Sequence, residues 1–141
     1  MVLLVVGPAL FVVISKQREK AIPKRPSTAL PVAEDATGLD RHCQSSRNGW
    51  NEKNALCLLH SNLDAFAVRM AAARAAGRSL DLMYYMWNAD LTGRLMMREV
   101  IAAADRGVRV RLLLDDLGVS MSDRIFHAID SHPNIELRLF N

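Results

Sequence analysis

Two stretches of this chain repeat one pattern, and that pattern constrains the fold most. A-A-A-R-A-A-G-R-S-L-D-L-M-Y-Y (71–85) and I-A-A-A-D-R-G-V-R-V-R-L-L-L-D (101–115) each run from helix end to glycine to strand. The glycines, Gly77 and Gly107, stand thirty residues apart, the length of one β-α unit and not a solenoid period. Around them the apolar period alternates. Leu63, Phe66, Ala67, Met70 and Ala71 recur at helical spacing, with Ser61 or Asn62 as N-cap. Leu80, Leu82, Tyr84 and Met86 then alternate with Asp81, Met83, Tyr85 and Trp87 as a strand. Its second face turns apolar partway along, so both faces are expected to be covered. Asp90 caps a second helix bearing Leu91, Leu95, Val100, Ile101 and Ala104, stopped by Gly107. Val108 to Leu114 form a second strand. Ser122 or Asp123 opens a third helix with Ile125, Phe126 and Ile129, and Ile135, Leu137, Leu139 and Phe140 form a third strand. The order α-β-α-β-α-β predicts an α/β fold with parallel strands and right-handed crossover helices.

Charge separates this part from what precedes it. Residues 1–60 hold eight Lys/Arg against five Asp/Glu, and residues 61–141 hold ten Arg against ten Asp/Glu. The net +3 of the 141 residues therefore belongs to the N-terminal part, and no lysine follows Lys53. A neutral domain lacks the basic face of nucleic-acid binders, so no nucleic-acid partner is expected. Half of the chain is hydrophobic, which excludes a wholly disordered polymer.

Met1 to Ser15 is uncharged and apolar. As a helix it would reach about 22 Å, short of the ~30 Å hydrocarbon core, and Gly7-Pro8 interrupts it. Three readings fit: a short membrane anchor, a signal segment whose start lies upstream, or a buried apolar strand. Lys16, Arg18, Lys20, Lys24 and Arg25 follow it, a flank that the positive-inside rule places in the cytoplasm. The expected localisation is association with a membrane, the flank favouring the cytoplasmic face, with export as the alternative. Residues 16–55 are rich in Pro, Ser and Asn and keep no helix or strand period, so they read as a linker to the domain at 56–141. Cys43 and Cys57 would pair in an exported chain and stay as thiols in a reducing compartment.

In parallel sheets ligands bind beyond the carboxyl ends of the strands. Tyr85, Trp87, Asp115 and Asp116 stand there as a candidate pocket rim. The aromatics can equally be core, and the aspartates can equally cap a turn. L-L-L-D-D lacks the phosphate loop that a nucleotide hydrolase would need, although paired aspartates can hold magnesium. His42, His60, His127 and His132 sit in no nucleophile motif and read as structural or exposed. Met70, Met83, Met86, Met96 and Met97 read as core filler.

The ordered series S-L-D-L-x-Y-Y-x-W (79–87), D-x-T-G-R (90–94), A-D-R-G-V-x-V-R-L-L-L-D-D (104–116) and H-P-N-I-E-x-R-L-F-N (132–141), preceded by P-K-R-P-S-T-A-L-P (23–31), resembles the start of bacterial phospholipase D superfamily proteins of the cardiolipin synthase-like branch. The resemblance covers roughly residues 21–141. Met83 stands where the family pattern has Gln, and Asn88-Ala89 where His-Asp is common. The resemblance implies two half-domains that each give one His-x-Lys-x-x-x-x-Asp motif to a shared site. One histidine attacks the phosphodiester phosphorus, forming a phosphohistidine. The other protonates the leaving alcohol, and the lysines stabilise the phosphoryl charge. Water or a lipid glycerol hydroxyl is the acceptor. It implies no metal and no cofactor. The implied partners are a phospholipid membrane and the missing C-terminal half of the enzyme.

No His-x-Lys exists in this chain, so no catalytic residue is carried over onto it. The residues read as an incomplete N-terminal part of a phospholipase D-like domain, inactive by itself. The alternative is a non-catalytic, membrane-tethered α/β module that docks a partner.

Overall fold

The computed structural model describes residues 26–31, 37–47 and 56–140, with side chains from 43 to 47 left aside. The apolar segment 1–15 and its basic flank lie outside these residues. No helix among the described residues is long and apolar enough to cross a membrane. Cys57 is exposed, and the side chain of Cys43 lies outside the description, so their pairing does too.

Helix α1 spans Gly38–Arg47, within the stretch expected to be an irregular linker. The reason is local. Thr37 and Asp40 form a reciprocal cap: the Asp40 N–H donates to Thr37 Oγ1 at 3.1 Å, and the Thr37 N–H donates to Asp40 Oδ2 at 2.9 Å. Two capped backbone donors start a helix that has no apolar period to announce it.

After α1 come α2 (Asn62–Ala75), β1 (Ser79–Tyr84), α3 (Leu91–Asp105), β2 (Arg109–Asp115), α4 (Asp123–Asp130) and β3 (Ile135–Phe140). The expected alternation is present, and β1-β2-β3 form one sheet with both pairs parallel. Ser61 caps α2 by accepting from the Leu63 and Asp64 N–H groups. Asp90 caps α3 through Gly93. Gly107 takes φ +87°, the left-handed turn that its position as a stop requires. Gly77 plays a different part. A Cβ there would fall 2.7 Å from Thr37 Cγ2, so the turn from α2 to β1 lets the start of α1 approach closely.

Two side chains tie the ends of the helices to their neighbours. Arg106 Nη2 donates to the carbonyls of Ala73 and Arg74, both at 3.1 Å, near the end of α2. Asn134 Nδ2 donates to Ala104 O at 3.0 Å, near the end of α3. Arg106 supplies donors to carbonyls in the last turn of α2, and Asn134 adds a second donor to Ala104 O, which already accepts from the Gly107 N–H at 2.9 Å.

With strands in sequential order and crossovers of one hand, the helices cover one face. Val110, Leu112, Leu114, Ile135 and Leu137 are buried against Val100, Ala103, Ala104, Phe126 and Ile129. The opposite face departs from expectation, because among the described residues no helix covers it. Asp81 and Met83 are exposed there, Met83 at 78%. Asp81, Arg111 and Glu136 instead stand in register across the three strands. Arg111 forks onto Asp81, with Nε 2.6 Å from Oδ1, and along β3 Arg138 Nη2 lies 2.6 Å from Glu136 Oε1. Ser27 lies over this ladder within 3.3 Å of Arg111 and 3.4 Å of Arg109. Met83 and Met86 are therefore not core filler, while Met70 and Met96 are buried as expected.

Candidate functional site

The carboxyl end of β1 is built by two loops that lie side by side. Tyr84 closes the strand, and the chain then runs alongside residues 118–120. The Trp87 N–H donates to Gly118 O at 2.9 Å, and the Ser120 N–H donates to Trp87 O at 3.0 Å. Gly118 is required by contact: a Cβ there would lie 1.8 Å from the Tyr85 carbonyl oxygen. The Trp87 side chain turns inward, 4% exposed, and meets Tyr84 edge to face at 4.9 Å.

The D-x-T-G-R segment forms the next wall. Asp90 Oδ1 accepts from the Thr92 hydroxyl at 2.7 Å and from the Gly93 N–H at 2.8 Å. The Gly93 N–H bond and then the Thr92 hydroxyl hold the Asp90 carboxyl below its ordinary value, so it stays ionised. A Cβ on Gly93 would lie 1.9 Å from Asn88 O, so glycine lets α3 start directly against the loop.

Between α2, the end of β1 and the start of α3 lies an open cleft of about 350 Å³. Asn62, Phe66, Arg69, Tyr84, Trp87 and Asp90 line it, among others. The Arg69 guanidinium carbon sits 6.0 Å from the Phe66 ring centre and 5.9 Å from that of Tyr84. Such contacts favour a cation over aromatic faces.

The four expected rim residues separate. Trp87 lines the cleft. Tyr85 points outward, 71% exposed. Asp115 is 2% exposed and accepts from the Leu117 N–H at 2.8 Å, capping the short turn Asp116–Gly118. Asp116 opens that turn, half-buried. The structure thus gives Asp115 the turn-capping part. Among the described residues no three His, Cys, Asp or Glu side chains gather as a metal site. His132 is structural: its Nδ1 accepts from the Asn134 N–H at 3.1 Å, and its Nε2 lies 3.2 Å from Asp105 Oδ1.

Arg69 was not singled out in the sequence. The only signal was its spacing of three from Phe66, which places both on one side of a helix. Its contact with Tyr84 joins residues fifteen apart across two elements. Glu99, like Asp115, is a buried charge. Its Oε1 receives Arg74 at 2.9 Å and Arg98 at 3.1 Å, and these bonds, Arg74 first, hold its carboxyl down at about 2.

No family model matches the chain. Cardiolipin synthase C of Escherichia coli K12 is 53% identical over 83 residues, which cover 59% of this chain and 18% of that protein. An uncharacterised protein of Helicobacter pylori is 35% identical over 88 residues, 62% of this chain and again 18% of the relative. Among solved structures, NucT from Helicobacter pylori superimposes with a TM-score of 0.47 at 20% identity, covering 60% of this chain and 52% of that one. The chain spans less than a fifth of the length of the curated relatives it matches. Over 83 of its residues the chain is thus similar to cardiolipin synthase C.

Proposed function

We propose that these residues form the leading β-α units of a membrane-associated, phospholipase D-type phosphatidyltransferase. The observation that carries this reading is the 53% identity to cardiolipin synthase C. In the proposed reaction a histidine nitrogen displaces the alcohol from a phospholipid phosphodiester, and a second histidine protonates that leaving alcohol. A glycerol hydroxyl of another lipid then attacks the phosphohistidine and restores the free histidine. Both histidines would come from His-x-Lys motifs outside these 141 residues, which contain none. The part assigned to this chain is architectural. Its sheet fixes the loops at the strand ends, and Gly93 and Gly118 let them close on one another.

The reading predicts that the chain alone forms no transfer product from phosphatidylglycerol vesicles above a protein-free control. Product formation by these residues would contradict it. The genomic reading frame discriminates further. Continuation into His-x-Lys-x-x-x-x-Asp fits the enzyme, and a stop codon directly after Asn141 fits a docking module.

A further inference from the structure

We propose that the cleft between α2, the end of β1 and the start of α3 binds a small phosphate ester that carries free hydroxyls, its phosphate held by Arg69. The inference deepens the proposed enzyme reading, on which its choice of lipid probe rests, by naming a headgroup contact distinct from the histidines.

Arg69 is placed for such a contact. Its stem is fixed because Nε donates to Ala65 O at 3.2 Å, and its guanidinium lies near the Phe66 and Tyr84 rings. Most of the other arginines of the domain have protein partners. Arg74 and Arg98 pair with Glu99, Arg111 with Asp81, and Arg138 with Glu136, while Arg106 donates to helix-end carbonyls. The Arg69 Nη groups have no such acceptor among the described residues. They lie on a cleft whose volume, about 350 Å³, falls within the roughly 300–1,000 Å³ of small-molecule sites. A guanidinium fork matches two phosphate oxygens.

The rest of the lining selects what accompanies the phosphate. Asp90 stays ionised on the same cleft and would repel a bare anion, but it accepts from a hydroxyl. The Asn62 and Asn88 amides offer both a donor and an acceptor. Phe66, Tyr84 and Trp87 supply apolar wall for a short carbon skeleton. A cation, a carboxylate, two amides and three aromatics suit an ester with one anionic end and one hydroxylated end. They suit inorganic phosphate less.

The test is a titration of the nitrogen-15-labelled chain with glycerol 3-phosphate, following the Trp87 indole N–H and the Arg69 Nε–H signals. Both should shift and saturate with Kd on the order of millimolar. Arg69→Gln should weaken binding at least about tenfold, and Arg69→Lys should weaken it less, because lysine keeps the charge and loses the fork. Inorganic phosphate should bind more weakly than the ester. Absence of a saturable shift, an Arg69→Gln chain that binds as before, or phosphate binding as tightly as the ester would each overturn the proposal.

Vesicles distinguish the ligand's source. Arg69-dependent retention on phosphatidylglycerol but not phosphatidylcholine vesicles, competed by glycerol 3-phosphate, supports a lipid headgroup. Binding of the soluble ester alone supports a free metabolite. Arg69 is exposed, so Arg69→Gln should fold. If it does not, Arg69→Lys and the competition arm carry the same decision. No catalysis is read, so failure here leaves the proposed enzyme chemistry standing, and failure of that chemistry leaves the cleft.

Discussion

Replacing Gly118 with alanine should cost about 3 kcal/mol or more and lower the melting temperature by about 15 °C. The added Cβ would lie 1.8 Å from Tyr85 O, 2.9 Å from Tyr85 C and 3.3 Å from Met86 Cα. All three are backbone atoms, so no side chain can swing aside. The two loops must part, which breaks the bonds from the Trp87 N–H to Gly118 O and from the Ser120 N–H to Trp87 O. A domain of this size has roughly 5–10 kcal/mol in total, so a large share of its stability goes. Gly93→Ala should behave alike, because its Cβ would lie 1.9 Å from Asn88 O. Gly38→Ala is the control: its nearest neighbour would be Arg41 Nη2 at 3.9 Å, and no loss is expected. Thermal melts followed by circular dichroism read all three. A Gly118→Ala chain that melts within two or three degrees of the parent, on the order of 0.5 kcal/mol, would refute the close approach.

The second large effect is acid sensitivity set by Glu99. Its folded carboxyl titrates at about 2 against an ordinary 4.5, because Arg74 and then Arg98 hold the charged form by hydrogen bonds. Between those values the unfolded chain takes up a proton that the folded chain refuses. Its contribution is therefore complete above about pH 4.5 and is lost as pH falls toward 2. The arginines remain 57% and 67% exposed, so solvent screening reduces the gain to about 1–2 kcal/mol. Asp81 and Asp90 are also lowered, by the Arg111 bond and by the Gly93 N–H respectively, and they add in the same direction. Denaturant unfolding from pH 6 to pH 2.5 should show stability falling with pH, with a shallower fall in Glu99→Gln. Identical slopes would show that Glu99 is not held as described.

What the sequence disclosed was what local chemistry decides. Ser61, Asp90 and Gly107 act within a turn of their own helices, and each performs the capping or stopping part that its residue type announces. The parallel order follows equally from alternating periods joined by helices. The misses depended on partners distant in the chain. Burial of the second face of β1 cannot be read from Met83, because its exposure is decided by what lies over the sheet. Gly93 and Gly118 carry no sign of the carbonyls they face, which belong to residues 88 and 85. Arg69 gained meaning only when folding set Tyr84 beside it. Helix α1 is the one miss that was locally legible, since Thr37 and Asp40 stand at capping-box spacing.

The architectural part proposed for these residues is tested by a chimera, without reference to where this chain ends. In it, the 83 matching residues replace their counterparts in Escherichia coli cardiolipin synthase C. The measurement is cardiolipin formed by the purified chimera from the phospholipids on which the parent enzyme is active. If this segment builds the same strand-end loops, activity should remain within about tenfold of the parent, a difference of roughly 1.4 kcal/mol in the barrier. A chimera that folds and reaches the membrane but forms no cardiolipin would contradict the assignment.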